Sequence, residues 1–369
     1  MLFIGLFLSF FLQALLIAAV LTPVARELAP RLGMVDVPNL ARKHHAKPIP
    51  RSGGLALFAA FWGALFLNVG VLLVLSGVPG LLPESLQTLA SNIPMRFGPL
   101  LGIFIGSSII FTLGVLDDAL NLPAKARLLV QILAVLPLLL SGVQLQFFLP
   151  DFAAWILTIF WVVLLTNSLN FLDNMNGLTS GISVIMALIL GVHSLLTGEW
   201  YMMALFGLLA GAASGFWLYN FPKASIFLGD SGSTNLGFLF ASLTTVATFY
   251  EPTLPSQLPV LIPLAVMGVP LFDTATVMWI RWRTGKPFMQ GDTNHISHRL
   301  VALGMSRVQA VLFLYGVTLT IGLAALVLRA LPWNYGLLQM CVLALVFLGM
   351  YVMERVSHRE RTNRSQSSN

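Results

Sequence analysis

Apolar runs of about twenty residues, each long enough to cross roughly 30 Å of hydrocarbon as a helix, recur from one end of this chain to the other. Inside lipid every backbone N–H and C=O must be paired within its own segment or in a closed barrel, so runs of this length call for helices. By that criterion the chain carries about eleven spans, near residues 2–22, 53–79, 98–116, 128–146, 152–169, 178–197, 200–219, 233–250, 258–280, 310–329 and 335–353. A soluble domain is excluded, because only 9% of the 369 residues are charged where soluble chains carry roughly a quarter. The expected fold is an all-α polytopic membrane protein, with one transmembrane domain over 1–353 and a basic, disordered tail over 354–369.

Charge sorting gives this arrangement a direction. With those spans, all of the 20 Lys and Arg except Arg96 and Arg329 fall on one side of the membrane. Because Lys and Arg concentrate in cytoplasmic loops, the N-terminus is expected outside and the C-terminus in the cytoplasm. The first run lacks a basic leader and runs into a basic loop, the reverse of a signal peptide, so it is read as the first span. A pI near 9.8 then describes a basic face suited to anionic headgroups and phosphorylated substrates, with no need for nucleic acid. The one cysteine, Cys341, offers no disulfide framework. The stretch 79–99 reads as the one sizeable extracytoplasmic loop, with room for a short interfacial helix.

Four polar islands interrupt the apolar pattern, all on the expected cytoplasmic side. The densest is N-S-L-N-F-L-D-N-M-N-G-L, Asn167 to Leu178, which ends one run and begins the next. If the helix continues through it, Asn167, Asn170 and Asn174 share a face at spacings of three and four, with Asp173 beside them and Gly177 to turn the chain. A second island holds the adjacent carboxylates Asp117 and Asp118, which repel each other and call for a cation nearby. Asn121 and Pro123 signal a helix start just after it, which puts Lys125 in a first turn where an ammonium can meet phosphate. The third, G-D-S-G-S around Asp230, precedes an apolar run. A lone carboxylate suits Mg²⁺, which draws its other ligands from phosphate and water, and the following helix N-terminus suits an anion. The fourth holds Asp292, His295, His298 and Arg299, downstream of Asp273, the deepest acid. The four islands are expected to converge on one anionic, metal-bound substrate.

In this order the islands resemble the polyprenyl-phosphate N-acetylhexosamine-1-phosphate transferases, the glycosyltransferase family 4 type. The likeness runs from about Asp36 to Leu300 and rests on R-K-H-H-A-K-P-I-P-R-S-G-G at Arg42, D-D-A-L-N-L-P-A-K at Asp117, N-S-L-N-F-L-D at Asn167, F-L-G-D-S-G-S at Phe227 and D-T-N-H-I-S-H-R-L at Asp292. It implies an all-helical bacterial cytoplasmic-membrane enzyme whose site faces the cytoplasm, with Mg²⁺ (Mn²⁺ as a substitute), a UDP-linked amino sugar as donor and polyprenyl phosphate as acceptor; a homodimer is compatible with it. The resemblance assigns Asp117, Asp118 and Asp173 to catalysis and Asp230 with Asn170 to the metal. Lys125, Asn167, Asn170, Asn176, His295, His298 and Arg299 are assigned to substrate.

Two departures bear on the donor. D-N-M-N-G-L stands where the family usually has D-G-x-D-G-L, so Asn176 replaces a carboxylate and Asn174 a glycine; H-I-S-H stands for H-x-H-H, with Ser297 replacing a histidine. The expected chemistry is attack of a polyprenyl-phosphate oxygen on the β-phosphorus of the UDP-sugar with loss of UMP. The motifs look more like the GlcNAc branch than the phospho-MurNAc-pentapeptide transferase of peptidoglycan synthesis. A transporter or flippase of a phosphorylated lipid is the rival of another class, set apart by where the acids lie: transport sites sit near the bilayer midplane, and these acids sit at the cytoplasmic ends.

Overall fold

The computed structural model describes residues 1–36, 48–145, 149–287 and 294–367, with side chains described as far as residue 352. The chain divides into two compact units, Met1–Ala247 and Thr248–Asn369, where the sequence reading expects a single transmembrane domain.

The first unit holds eight helices: α1 (Leu2–Leu28), α2 (Gly53–Ser76), α3 (Glu84–Leu120), α4 (Ala124–Leu140), α5 (Asp151–Leu172), α6 (Leu178–Thr197), α7 (Trp200–Asn220) and α8 (Asp230–Val246). α7 packs against α1 and α6, while α8 is enclosed by α2, α3 and α5. Every residue of α8 from Ser231 to Thr244 is buried, and some of its polar side chains are bonded to neighbouring helices. Trp62 donates to Ser107 Oγ at 3.1 Å, Ser107 donates to Asn235 Oδ1 at 2.7 Å, and Trp161 donates to Thr244 Oγ1 at 3.2 Å. Close approach sets where α8 begins. A Cβ on Gly114 of α3 would lie 2.3 Å from Ser231 Cα, so only glycine lets α3 meet the first turn of α8.

The second unit holds α9 (Ile262–Val266), α10 (Gly268–Arg283), α11 (Ile296–Ala302), α12 (Arg307–Leu326) and α13 (Trp333–Ser367). Ala265, Ile321, Ala325 and Leu343 form its apolar centre.

Each of the eleven expected runs coincides with helix, and the helices make this an all-α polytopic membrane protein. Among the described residues eight are long and apolar enough to cross a membrane, or nine when a bent pair is counted as one span. α4 and α8, at 17 residues each, are shorter than those eight. The bent pair is the expected ninth run: Leu258–Val266 and Gly268–Arg283 meet at 71°, at a break flanked by Pro263, Gly268 and Pro270. One expectation is revised. The stretch 79–99 is no loop beyond Pro83, because α3 begins at Glu84 and carries Pro94 and Pro99 inside it, giving a helix about 55 Å long. α13 runs on to Ser367.

Candidate active site

The C-terminal ends of α3 and α5 and the N-terminal ends of α4 and α8 meet in the first unit and bring three of the four islands together. α3 closes at Asn121, a left-handed residue with φ 53°, whose following N–H, that of Leu122, donates to Asp117 Oδ1 at 2.7 Å. Asp117 Oδ2 accepts from Arg127 Nη1 at 2.6 Å, and the same nitrogen lies 3.4 Å from Asp230 Oδ2. The Asp117 and Asp230 carboxyl groups also interact directly.

Asp118 turns the other way. Its two oxygens accept from the backbone N–H groups of Asp230 at 2.9 Å and Ser231 at 3.1 Å, so it caps α8 from outside the helix. The turn that allows this is Gly229, with φ 74°; a Cβ there would also lie 2.2 Å from Arg51 O and 2.6 Å from Asp118 Oδ2. The preceding residues are laced to the end of the basic loop: Phe227 N–H donates to Pro50 O, Gly53 N–H to Phe227 O, and Gly54 N–H to Leu228 O, at 2.7, 3.0 and 2.9 Å. Asp230 is thereby held at a fixed place, a third of its side chain exposed.

The stretch 167–178 divides its duties. Asn170 Nδ2 donates to Asp230 Oδ1 at 2.8 Å and contacts Ser233 Oγ at 3.0 Å. Asn167 is not brought to the carboxylates: it donates to Gln131 Oε1 of α4 and to Val163 O, each at 2.8 Å, tying α5 to α4. Asn174 donates to Phe171 O, and Asn176, exposed, donates to Pro222 O at 3.2 Å. α5 ends at Leu172, so the assumed continuous helical face stops there and Gly177, φ 74°, starts α6. Asp173 follows the helix end. Burial pushes its carboxyl up to about 7, and the nearby Asp118 charge adds to the rise.

Lys125 is exposed, while Arg127 is the cation on the carboxylates. At 3.6 residues per turn the two lie about 200° apart around α4. The signal was in the sequence: 127 continues the buried stripe Gln131, Ala134, Val135 and Leu138, and 125 does not. Asn220 was also missed; it accepts from Gly177 N–H at 2.7 Å and donates to Ile226 O at 2.9 Å, joining the 173–177 turn to the approach of α8.

The fourth island lies in the second unit, apart from Asp292, which is outside the described residues together with 37–47 of the basic loop. Asp273 is fully buried on α10. Its Oδ2 lies 2.8 Å from His295 Nδ1, and its Oδ1 accepts from Ile296 N–H at 2.7 Å. His295 is the residue before α11, not part of it, so it does not share a helical face with His298. Arg299 donates to Thr276 Oγ1 at 3.0 Å.

The donor set suits a hard divalent cation. It offers carboxylate and amide oxygens, and two carboxylates, Asp117 and Asp230, face the Arg127 guanidinium, with Arg51, paired to Asp36, acting on Asp118 and Asp173 from farther off. Among the described residues no group of three or more His, Cys, Asp or Glu is placed to hold a metal ion by itself.

Fold and site together define a polytopic membrane protein with an acidic, amide-lined centre where four helix ends meet. Residues 100–248 match the family model described as glycosyl transferase family 4. The chain is 31% identical over 357 residues to the probable undecaprenyl-phosphate N-acetylglucosaminyl 1-phosphate transferase of Bacillus subtilis, covering 94% of this chain and 91% of the relative. It is 31% identical over 331 residues to the decaprenyl-phosphate N-acetylglucosaminephosphotransferase of Mycobacterium tuberculosis, covering 82% and 78%. The undecaprenyl-phosphate alpha-N-acetylglucosaminyl 1-phosphate transferase of Escherichia coli K12 is 24% identical, over 94% of this chain and 93% of its own. The chain belongs to glycosyl transferase family 4.

Proposed function

We propose that this protein transfers a sugar-1-phosphate, GlcNAc-1-phosphate first among candidates, from a UDP-sugar to polyprenyl phosphate, releasing UMP and leaving a lipid-diphosphate sugar. The single observation that carries this reading is the meeting of Asp117, Asp230 and Arg127, with Asn170 on Asp230 and Asp118 fixing the helix start beneath it. A surplus of buried negative charge beside a guanidinium and a helix N-terminus suits a cation carrying a diphosphate.

In the reaction an oxygen of the acceptor phosphate bonds to the β-phosphorus, and the bond from that phosphorus to the oxygen bridging to the α-phosphorus breaks. The sugar's anomeric centre is untouched. Asp230, with Asn170 beside it, would hold Mg²⁺, which when bound neutralises diphosphate charge. Arg127 binds phosphate oxygen. The acceptor's last proton, with a pKa of about 6, needs only a weak base, and Asp117, Asp118 and Asp173 are the carboxylates at hand. His295, oriented by Asp273, and His298 with Arg299 are the second unit's candidates for substrate contact. The charge sorting supports eleven spans, N-terminus outside, with this site on the cytoplasmic face of a bacterial inner membrane.

Purified protein assayed for UMP release against a panel of UDP-sugars, with and without polyprenyl phosphate, tests the reading. UMP should appear with UDP-GlcNAc only when the acceptor is present. Release confined to UDP-MurNAc-pentapeptide, or independent of the lipid, would overturn it.

A further inference from the structure

We propose that Arg127 couples cation binding to phosphate binding. In the metal-free protein its guanidinium pairs with Asp117 and lies beside Asp230; with a divalent cation held at Asp230, Arg127 would leave for a substrate phosphate oxygen. The inference rests on the transferase reading above and adds to it the order in which charges are exchanged.

The geometry gives each partner a different freedom. Asp117 is 6% exposed and is also held by Leu122 N–H, so it stays in place whichever cation it faces. Asp230 is anchored through Oδ1 by Asn170 and presents Oδ2 to Arg127 at 3.4 Å, the longer contact of the two. Oδ2 is therefore the atom that exchanges partners. The Arg127 side chain is 31% exposed and sits in the first turns of α4, so it can swing without unpacking Gln131 or Ala134 behind it. A guanidinium and a divalent cation on one carboxylate repel each other, and the planar fork of Arg is matched to phosphate oxygens. Lys125, on the opposite face of α4, cannot make this exchange.

Mn²⁺ binding to the purified full-length protein, followed by electron paramagnetic resonance without substrate, is the first test. Arg127→Gln should tighten Mn²⁺ roughly five-fold or more, whereas Lys125→Gln should leave it unchanged. Adding UDP should tighten binding to wild type and narrow the gap. Unchanged or weaker Mn²⁺ binding in Arg127→Gln would overturn the proposal while leaving the transferase reading to be judged by wild-type UMP release. A wild-type readout covers a variant that fails to fold: phenylglyoxal labelling of Arg127, read by mass spectrometry, should speed up roughly five-fold on adding Mn²⁺ and slow again with Mn²⁺ and UDP. A rate indifferent to Mn²⁺ would refute the exchange. The KM of Arg127→Gln for UDP-sugar against that for polyprenyl phosphate tells which phosphate receives the guanidinium.

Discussion

The acids of the two units are partnered in opposite ways. In the second unit Asp273 is fully buried and its two oxygens are matched, one to a histidine ring and one to a backbone N–H. In the first unit Asp117, Asp118 and Asp230 crowd together with one guanidinium between two of them, and Asp230 keeps a third of its side chain exposed. A matched buried acid fixes geometry. On the proposed reading, the over-supplied, partly open group of acids receives the cation, and the matched pair gives support.

The largest expected effect breaks the open cluster. Asp230→Asn keeps size and one carbonyl oxygen but loses the charge, so UMP release should fall by about 10²–10³-fold or more while the melting curve changes little. Near-normal turnover would remove Asp230 from the site. The matched pair should respond differently. Asp273→Asn should lower turnover by about ten-fold through a misoriented His295, and adding it to His295→Asn should cost little more, since the two act as one unit. Additive losses would show that Asp273 has a separate role.

A smaller effect concerns Asp118, which the cluster uses as a clamp. Asp118→Ala leaves two N–H groups at the start of α8 without their acceptor, and should reduce stability by about 1–2 kcal/mol, seen in thermal melts. Loss of turnover with an unchanged melt would instead make Asp118 a purely chemical group. The smallest is the pH response of Asp173. Its carboxyl rises from 3.8 to about 7 in the folded protein, so the folded state holds a proton that the unfolded chain releases. Stability from this group is present at low pH and lost as pH rises from about 4 to 7. Asp173→Asn should therefore flatten the fall in melting temperature across that window, and an unaltered slope would count against a raised Asp173 carboxyl.

The helical architecture was legible because lipid forces apolar runs into helices, and all eleven runs became helix. The bend between α9 and α10 was hidden, since prolines and a glycine within an apolar run do not announce their angle. Within the site, Asp117 and Asp230 were legible as acids at membrane edges. Arg127 and Lys125 share the first turn of α4, and only helical phase, which puts Arg127 in line with the buried Gln131 and Ala134, tells them apart. Asn167 shared the motif spacing of Asn170 but meets α4, a tertiary choice that spacing alone does not encode.

Titrating Mg²⁺ at fixed UDP-sugar and polyprenyl phosphate, for wild type, Asp230→Asn and Asp273→Asn side by side, tests the central contrast most directly. The open cluster as metal site requires Asp273→Asn to keep the wild-type metal midpoint at reduced turnover, and Asp230→Asn to lose activity or need far more metal. An unchanged midpoint and turnover in Asp230→Asn, with the midpoint displaced in Asp273→Asn, would put the metal in the second unit and contradict the account.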